Sequence, residues 1–463
     1  MLSYQDFLKA IEEGTKKEEL ILSAIEEYQE SETYERAAMA QKYYARENVA
    51  ILQRMNYLQR RGQVNSKIVF HKLCSGFFPK FCKQIAQYLL GNGITLNDAI
   101  KKRLGPRFDK DLQTMGINTL VDGVNWGFWN VNRLIHFRAT EFFTLLDERT
   151  SIPMVGIRFW QLDEDKPLNV ELYEVEGMTQ YITDENDELI IMPDTKLIRY
   201  KSRIYSDCLT TQVLSENSYE VLPIFPLYAN ELKKSEFTDG LKSMIDAYDF
   251  IASDLADGIT ITEGIYWAVK NFGGEDAKQL VAEIENWRVT VDQNDATAQM
   301  FDVEIPFNAK QYALKLLEDS MYNDCMVLNL KSIQGGGLTN VAINVAKTDF
   351  DLKTDIFEWQ VADFVQNILS LIGLPEVEVK FKRRTITNDT ETVNNISTML
   401  SDGYIDREMA IQLCPLITDA DQAPLLKRIE LEAIGAPNEP PDDDPISGLD
   451  DIRNILQLTG GNK

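Results

Sequence analysis

Over the first 47 residues, apolar positions recur at interrupted three-to-four spacing. Leu8, Ile11, Leu20, Leu22, Ile25 and Tyr28 sit among charged side chains, which predicts short amphipathic helices. A denser helical run follows over 68–90 (IVFHKLCSGFFPKFCKQIAQYLL), with Pro79 expected to break it and Gly91 and Gly93 to end it. His71 falls in that run and is read as a packing residue rather than a ligand, since no second imidazole or cysteine pair lies nearby. From 126 to 227 the period shortens towards two. The β-rich runs are TEFFTLLD, MVGIRFWQL, LNVELYEVE, ELIIMP, KLIRYKSRIY and EVLPIFPLY, separated by turn clusters such as DEDKP and TDEND.

Two long helices are then expected around a small insertion. The first covers about 238–257, with Leu241, Ile245, Tyr248, Ala252 and Leu255 as one stripe. The second covers about 309–328, with Tyr312, Leu316, Met321, Cys325 and Leu328 on one side. Each would be roughly 30 Å long at 1.5 Å per residue. The fifty or so residues between them read strand, helix, strand, strand, a compact α/β tip on a two-helix stalk. A flexible glycine-rich segment, KSIQGGGLTNVAINVAK, comes next. It leads to a long helix over about 349–372, with Leu352, Ile356, Trp359, Val365, Ile368 and Ile372 in register. A β-like run (EVEVKFKRR), further helical segments, a Pro/Asp linker (APNEPPDDDPISG) and a short amphipathic tail complete the chain.

Composition narrows the function. The 463 residues carry 47 basic and 73 acidic side chains, a formal net charge of −26. A free-standing basic DNA-binding module is excluded, because such modules use a cationic face to displace counterions from phosphates. Two histidines, His71 and His136, leave few parts for zinc or imidazole chemistry. Five cysteines without a CxxC pair read as free thiols in a reducing compartment. The N-terminus lacks the flanks of a signal peptide, and no apolar run approaches the ~18–20 residues of a membrane span. An intracellular, soluble protein with no membrane partner is therefore expected.

Catalytic motifs do not emerge. GGGLTN has glycines but no following GK[ST], and there is no GxGxxG, GxSxG or HExxH. Asp184, Glu185, Asp187 and Glu188 lack the glycine and distal glutamate of a calcium loop and read as a solvated hairpin turn. Asp442, Asp443 and Asp444 read as solvated linker residues. No cofactor, no metal site and no catalytic residue is expected, which favours a structural or interaction protein.

The order of features resembles the portal proteins of tailed bacteriophages, in the SPP1-like branch. YYARENVAILQR, NSKIVFHKL and IAQYLLGNGIT look like that family's opening helices. EVLPIFPLYANELKKSEFTDGLKSMIDAYDFIASDLAD is similar to its most readable stretch, and MLSDGYIDREMAIQLCPLITDADQAPLLKRIELE to its crown. The blocks span most of 43–432 in the expected order. This chain departs from the family pattern at Thr339 and Asn340, and at Ala229 and Asn230.

The resemblance implies an α+β, mainly helical portal fold. Its parts would be a wing (1–236), stem helices (237–260 and 308–330), a small α/β clip insertion (261–307), a tunnel-loop region (331–348), a long helix with the rest of the wing (349–386), a helical crown (387–435) and an acidic tail (436–463). It further implies a homododecameric ring at one capsid vertex of the virion, assembled in the host cytoplasm, through which double-stranded DNA passes in packaging and ejection with non-specific, transient contact. Implied partners are the terminase large subunit, the head–tail connector or adaptor protein, the major capsid protein and scaffold. Lys331, Gln334, Gly335, Gly336, Gly337, Thr339 and Asn340 would form the loop beside DNA, with Lys331, Gln334 and Asn340 making contact. Tyr266, Trp267, Phe272 and Trp287 offer aromatic area for docking at the clip, set against burial in the clip's core or between copies. The competing readings are a carboxylate–metal enzyme acting on nucleic acid and another capsid or adaptor ring component.

Overall fold

The computed structural model describes residues 2–53, 71–163, 165–192, 197–201, 204–206, 210–212, 218–262, 266–270, 297–301, 306–329, 340–384, 389–414, 417 and 425–426. The chain is mixed helix and sheet and divides into two compact units: Met1–Leu330 with Lys347–Arg384, and Lys331–Ala346 with Thr385–Lys463.

The first unit opens with α1 (Tyr4–Glu12), α2 (Lys17–Gln29), α3 (Glu32–Tyr44) and the short α4 (Val49–Leu52). Ser3, Ser31 and Asn48 cap three of these by accepting from backbone N–H groups of the first turn. The inward face is Phe7, Ile21, Ala24, Ile25 and Tyr28, whereas Leu8 and Ile11, expected in the stripe, lie exposed. That face covers an antiparallel five-stranded meander of β4 (Phe142–Leu146), β5 (Pro153–Trp160), β6 (Asn169–Glu174), β7 (Gly177–Thr183) and β8 (Leu189–Ile191). Alternation along the strands supplies the apolar partners Phe143 and Leu145, Val155, Ile157 and Phe159, and Val170 and Leu172. Tyr28 stacks on Phe143 at 4.4 Å and donates its hydroxyl to the Ala139 carbonyl at 2.6 Å.

The other face of the meander presents Phe142, Tyr173 and Met178 to a second sheet, ordered β11 (Ile224–Tyr228), β2 (Val124–Asn130), β3 (Arg133–Arg138). β2 is buried at all seven positions. The chain also forms α5 (Phe77–Leu90), α6 (Asp98–Leu104), α7 (Phe108–Asp122) and, later, α11 (Thr348–Leu371). Trp126 and Phe128 face the meander, while Trp129 meets Phe108 of α7 and Gly127 lies against Phe364 of α11. β2, β3 and β7 fall outside the six β-rich runs named from sequence. β2 has no polar face to give an alternating signal, because both its sides are covered.

Pro79 does not break a helix. α5 begins at Phe77, so Pro79 occupies its first turn, where a missing N–H costs nothing. His71 lies ahead of the helix, in a segment without regular structure. The expected β-run EVEVKFKRR contracts to β14 (Lys380–Phe381), paired antiparallel with β1 (Ile94–Thr95). Short β9 (Ile204–Ser206) and β10 (Thr210–Gln212) pair with each other.

The two long helices form as α8 (Asp239–Thr262) and α9 (Phe307–Asp324), with the antiparallel ribbon β12 (Tyr266–Lys270) and β13 (Thr297–Phe301) between them in sequence. The helix and further strand expected in 271–296 lie outside the described residues. In the second unit, α10 (Asn340–Ala346) occupies sequence expected to be flexible; its apolar Val-Ala-Ile-Asn-Val-Ala run is helix-competent. α12 (Asp389–Ser401) and α13 (Arg407–Leu413) follow. The Asp406 side chain caps α13 by accepting from Met409 N–H at 2.7 Å, and Ala410 is buried.

Gly127 lets sheet and helix approach closely, since a Cβ there would lie 2.4 Å from Phe364 Cζ on α11. Gly127→Ala is expected to destabilise the first unit by about 1–3 kcal/mol, the ordinary cost of overpacking a core. Thermal melting followed by circular dichroism should show its midpoint lowered by several degrees.

Candidate functional site

The face that α8 buries is a straight i, i+4 row: Leu241, Ile245, Asp249, Ser253 and Asp257. The expected apolar stripe holds only for its first two members. Tyr248, Ala252 and Leu255 are half-buried, and three polar side chains take the centre of the contact. Each accepts a hydrogen bond from a backbone N–H. Along the segment 71–76, alternate residues donate to α8: Ser75 N–H to Asp249 Oδ1 at 2.9 Å, Leu73 N–H to Ser253 Oγ at 3.0 Å, and His71 N–H to Asp257 Oδ1 at 2.7 Å. The His71 Nδ1 is also 3.0 Å from Asp257 Oδ1.

This ladder works because two residues of near-extended chain advance about 6.6 Å and four residues of helix about 6 Å. It runs on into the N-terminal helices: Asn48 Nδ2 donates to Asp249 Oδ2 at 2.8 Å and Tyr43 hydroxyl to Asp246 Oδ1 at 2.6 Å. Burial pushes the Asp249 carboxyl above its ordinary value, against the lowering effect of the Asn48 and Ser75 donors. Burial and the Asp246 carboxylate together push the Tyr43 hydroxyl up.

α9 packs beside α8, with Lys310 Nζ 2.7 Å from Asp254 Oδ2. At its C-terminal end Met321 and Tyr322 are buried, and Phe77, Phe81, Tyr248 and Tyr322 form an aromatic cluster, the Phe77–Tyr248 rings meeting edge-on at 4.9 Å. Tyr312 and Leu316, expected on the packed side, are instead exposed, as is Phe307. α11 likewise divides the stripe expected of it. Val365 and Ile368 pack inward beside Phe350, Phe357, Val361 and Phe364, and Ile372 lies half-buried beyond the helix end, while Leu352, Ile356 and Trp359 form an exposed row.

Of the residues singled out for DNA contact, Lys331, Gln334, Gly335, Gly336, Gly337 and Thr339 lie outside the described residues; Asn340 opens helix α10. Of the clip residues, Tyr266 and Trp267 sit on β12, paired in register with Phe301 and Met300, while Phe272 and Trp287 lie outside the described residues. The structure brings no two of these groups into one described site. The polar ladder was missed from sequence, although the D-x3-S-x3-D spacing of Asp249, Ser253 and Asp257 was its signal.

Other candidate chemistry resolves into structure. Asp184 accepts from Asn186 N–H at 2.8 Å and Glu188 N–H at 2.9 Å, closing the β7–β8 hairpin; the Glu188 donor leads in holding its carboxyl below the usual range. Among the described residues no group of three or more His, Cys, Asp or Glu is arranged to hold a metal ion, and no helix is long and apolar enough to cross a membrane. Cys74, Cys82, Cys325 and Cys414 are free thiols, with burial pushing Cys325 up to about 11.

Asp249→Ala would strip the acceptor from Ser75 N–H and the Asn48 amide. Unpaired buried donors cost about 1–3 kcal/mol each, so a loss of roughly 2–4 kcal/mol is expected in chemical denaturation. The sign of the pH effect follows from the raised carboxyl. Above the ordinary value of 3.8 the folded state holds this proton more tightly than the unfolded chain. Wild-type stability relative to Asp249→Asn should therefore fall as pH rises through the raised value and recover on acidification. Paired denaturation curves between about pH 4 and pH 7 measure it; a gap that widens in the opposite direction contradicts the assignment.

Comparison with known proteins returns one family. The family model described as "Phage portal protein, SPP1 Gp6-like" matches residues 24–436. The portal protein of Bacillus phage SPP1 is 27% identical over 225 residues, covering 46% of this chain and 44% of that protein, so the matched stretch spans less than half of the relative. The portal protein of Clostridium phage phiCD119 is 21% identical over 417 residues, 83% of this chain and 90% of that protein. With the family model covering the helix pair, both sheets and α11 to α13, this chain belongs to the SPP1-like phage portal protein family.

Proposed function

We propose that this chain is a non-enzymatic phage portal subunit that assembles, about twelve copies to a ring, into a DNA conduit at one capsid vertex of the virion. The observation that carries the proposal is the family match across 24–436. Supporting it, α8 and α9 lead to and from the two-stranded ribbon β12–β13, an arrangement suited to stem and clip. The exposed apolar pair Tyr312 and Leu316 on α9, and the row Leu352, Ile356 and Trp359 on α11, are surface that neighbouring copies would cover. DNA would enter in packaging and leave in ejection. The clip, with Tyr266, Trp267, Phe272 and Trp287, would dock the terminase large subunit and later the head–tail connector, while capsid protein and scaffold would meet the ring's outer side. The tunnel-loop residues 331–348 would touch DNA transiently through Lys331, Gln334 and Asn340.

Charge explains why a conduit is acidic. Each phosphate neutralised by a cation adds salt-dependent affinity, and many such contacts around a bore would stall a moving duplex. At −26 per chain, a ring repels DNA over most of its surface and keeps the duplex centred.

Negative-stain microscopy of the purified protein should show rings of about twelve-fold symmetry with an open axial channel. Compact particles with metal-dependent nuclease activity would overturn the proposal. Trp359→Glu, placed on an exposed position, should leave the circular dichroism spectrum unchanged and sharply reduce the fraction of rings. Isolated protein should bind duplex DNA only weakly at physiological salt; tight, sequence-specific binding would contradict a conduit.

A further inference from the structure

Against the acidic whole, two segments run the other way. Residues 98–110 (DAIKKRLGPRFDK) carry five basic and two acidic side chains, and 376–384 (EVEVKFKRR) four basic and two acidic. They are 266 residues apart from the end of one to the start of the other, and the fold joins them. β14 pairs with β1, placing Phe381 opposite Ile94 and Lys380 opposite Thr95. Asn92 Nδ2 donates to the Lys382 carbonyl at 3.0 Å, and Arg384 N–H to the Tyr88 carbonyl at 3.0 Å. Asp109 ties in the other segment by accepting from Ile94 N–H at 3.2 Å and Lys101 Nζ at 3.3 Å.

Orientation then sorts the cations. Arg383 points inward and binds Asp355 and Glu358 on α11, leaving Lys380, Lys382 and Arg384 exposed on the opposite side of the run. Lys102, Arg103, Arg107 and Lys110 are exposed on α6, the turn after it and α7. Beside them lies a cavity of about 420 Å³, lined in part by Lys101, Lys102, Pro106 and Asp109.

We propose that this β1–β14–α6 face binds the phosphate backbone of duplex nucleic acid, as a contact separate from the conduit's bore. The proposal rests on the reading of the chain as a DNA-handling portal subunit. Four of the exposed cations are lysines, a residue depleted at protein interfaces, and neither 98–110 nor 376–384 carries an exposed aromatic side chain. Lysine is, by contrast, an ordinary point-charge partner for phosphate. Cations contributed by two separate segments suit a polyanion read by charge alone.

The test uses full-length protein and a fluorescein-labelled duplex of arbitrary sequence, read by anisotropy from about 50 to 200 mM salt. The variant Lys102→Glu/Lys110→Glu/Lys382→Glu is compared with Lys9→Glu/Lys16→Glu/Lys166→Glu, which makes the same change in net charge at other exposed lysines. Each lost phosphate contact removes about 0.9 from the slope of log affinity against log salt, so the first variant should lose about 2.7 and bind at least ~10-fold more weakly at the low-salt end. Equal slopes and affinities in the two variants overturn the proposal. So does poly-glutamate binding through these lysines without duplex binding, which assigns the face to an acidic polypeptide. Loss of rings with duplex binding intact also overturns it, assigning the face to a second copy. Thermal melting of both variants confirms folding, and ring images of the wild type judge the conduit independently: rings without patch-dependent binding refute this inference alone.

Discussion

The hydrogen-bond ladder between 71–76 and α8 is the constraint on which the helix pair's attachment depends. Leu241 and Ile245 are the fully buried apolar side chains of α8 among the described residues, and beyond Ile245 its apolar positions are at most half-buried. There Asp249, Ser253 and Asp257 supply side-chain acceptors spaced at one helical repeat. The near equality of two extended residues and four helical ones lets a non-sheet segment satisfy its alternate N–H groups without a partner strand. Since Tyr43 and Asn48 join the same carboxylate face, the N-terminal helices, the connecting segment and the stalk are one bonded assembly.

The acidic charge of the chain is compatible with a packed interior because the inner carboxylates are individually matched. Asp122, fully enclosed, takes two bonds from Arg138, Nε at 2.9 Å and Nη2 at 2.7 Å, with Gln41 Nε2 at 3.1 Å; burial nonetheless raises its carboxyl. Lys353 meets Glu236 at 2.6 Å while donating to the Cys325 carbonyl at 2.8 Å. Arg383 serves α11 in the same way, and Tyr88 donates to Asp351 at 2.7 Å. Removing one partner of such a pair costs more than the pair adds, because the remaining charge stays buried.

Much of the element order was legible from periodicity. The N-terminal helices, five of the meander's and sheets' strands, both long helices, α11, α12 and α13 fall in segments whose type was expected. Faces were harder. α2 buries Ile21 rather than Leu20 and Leu22, α9 exposes Tyr312 and Leu316, and α11 splits its apolar positions between an inward row and an exposed one. Where a helix carries two apolar stripes, a single sequence does not say which one its own chain covers. β2 failed for a related reason: buried on both sides, VNWGFWN shows no alternation.

The amino-acid sequence by itself determined the α+β class, the two long helices, the net charge and, through ordered motifs along the chain, the portal family, because these depend on local periodicity, composition and residue order. Only the tertiary structure decided which acceptors hold the stalk and which cations share a face. Asp249, Ser253 and Asp257 become a ladder when 71–76 is laid along α8, and Ile94 is tied both to Asp109 and, through a two-residue strand pairing, to Phe381. The ladder and the strand pairing join segments more than 170 residues apart in the chain, and no local pattern encodes a partner at that distance.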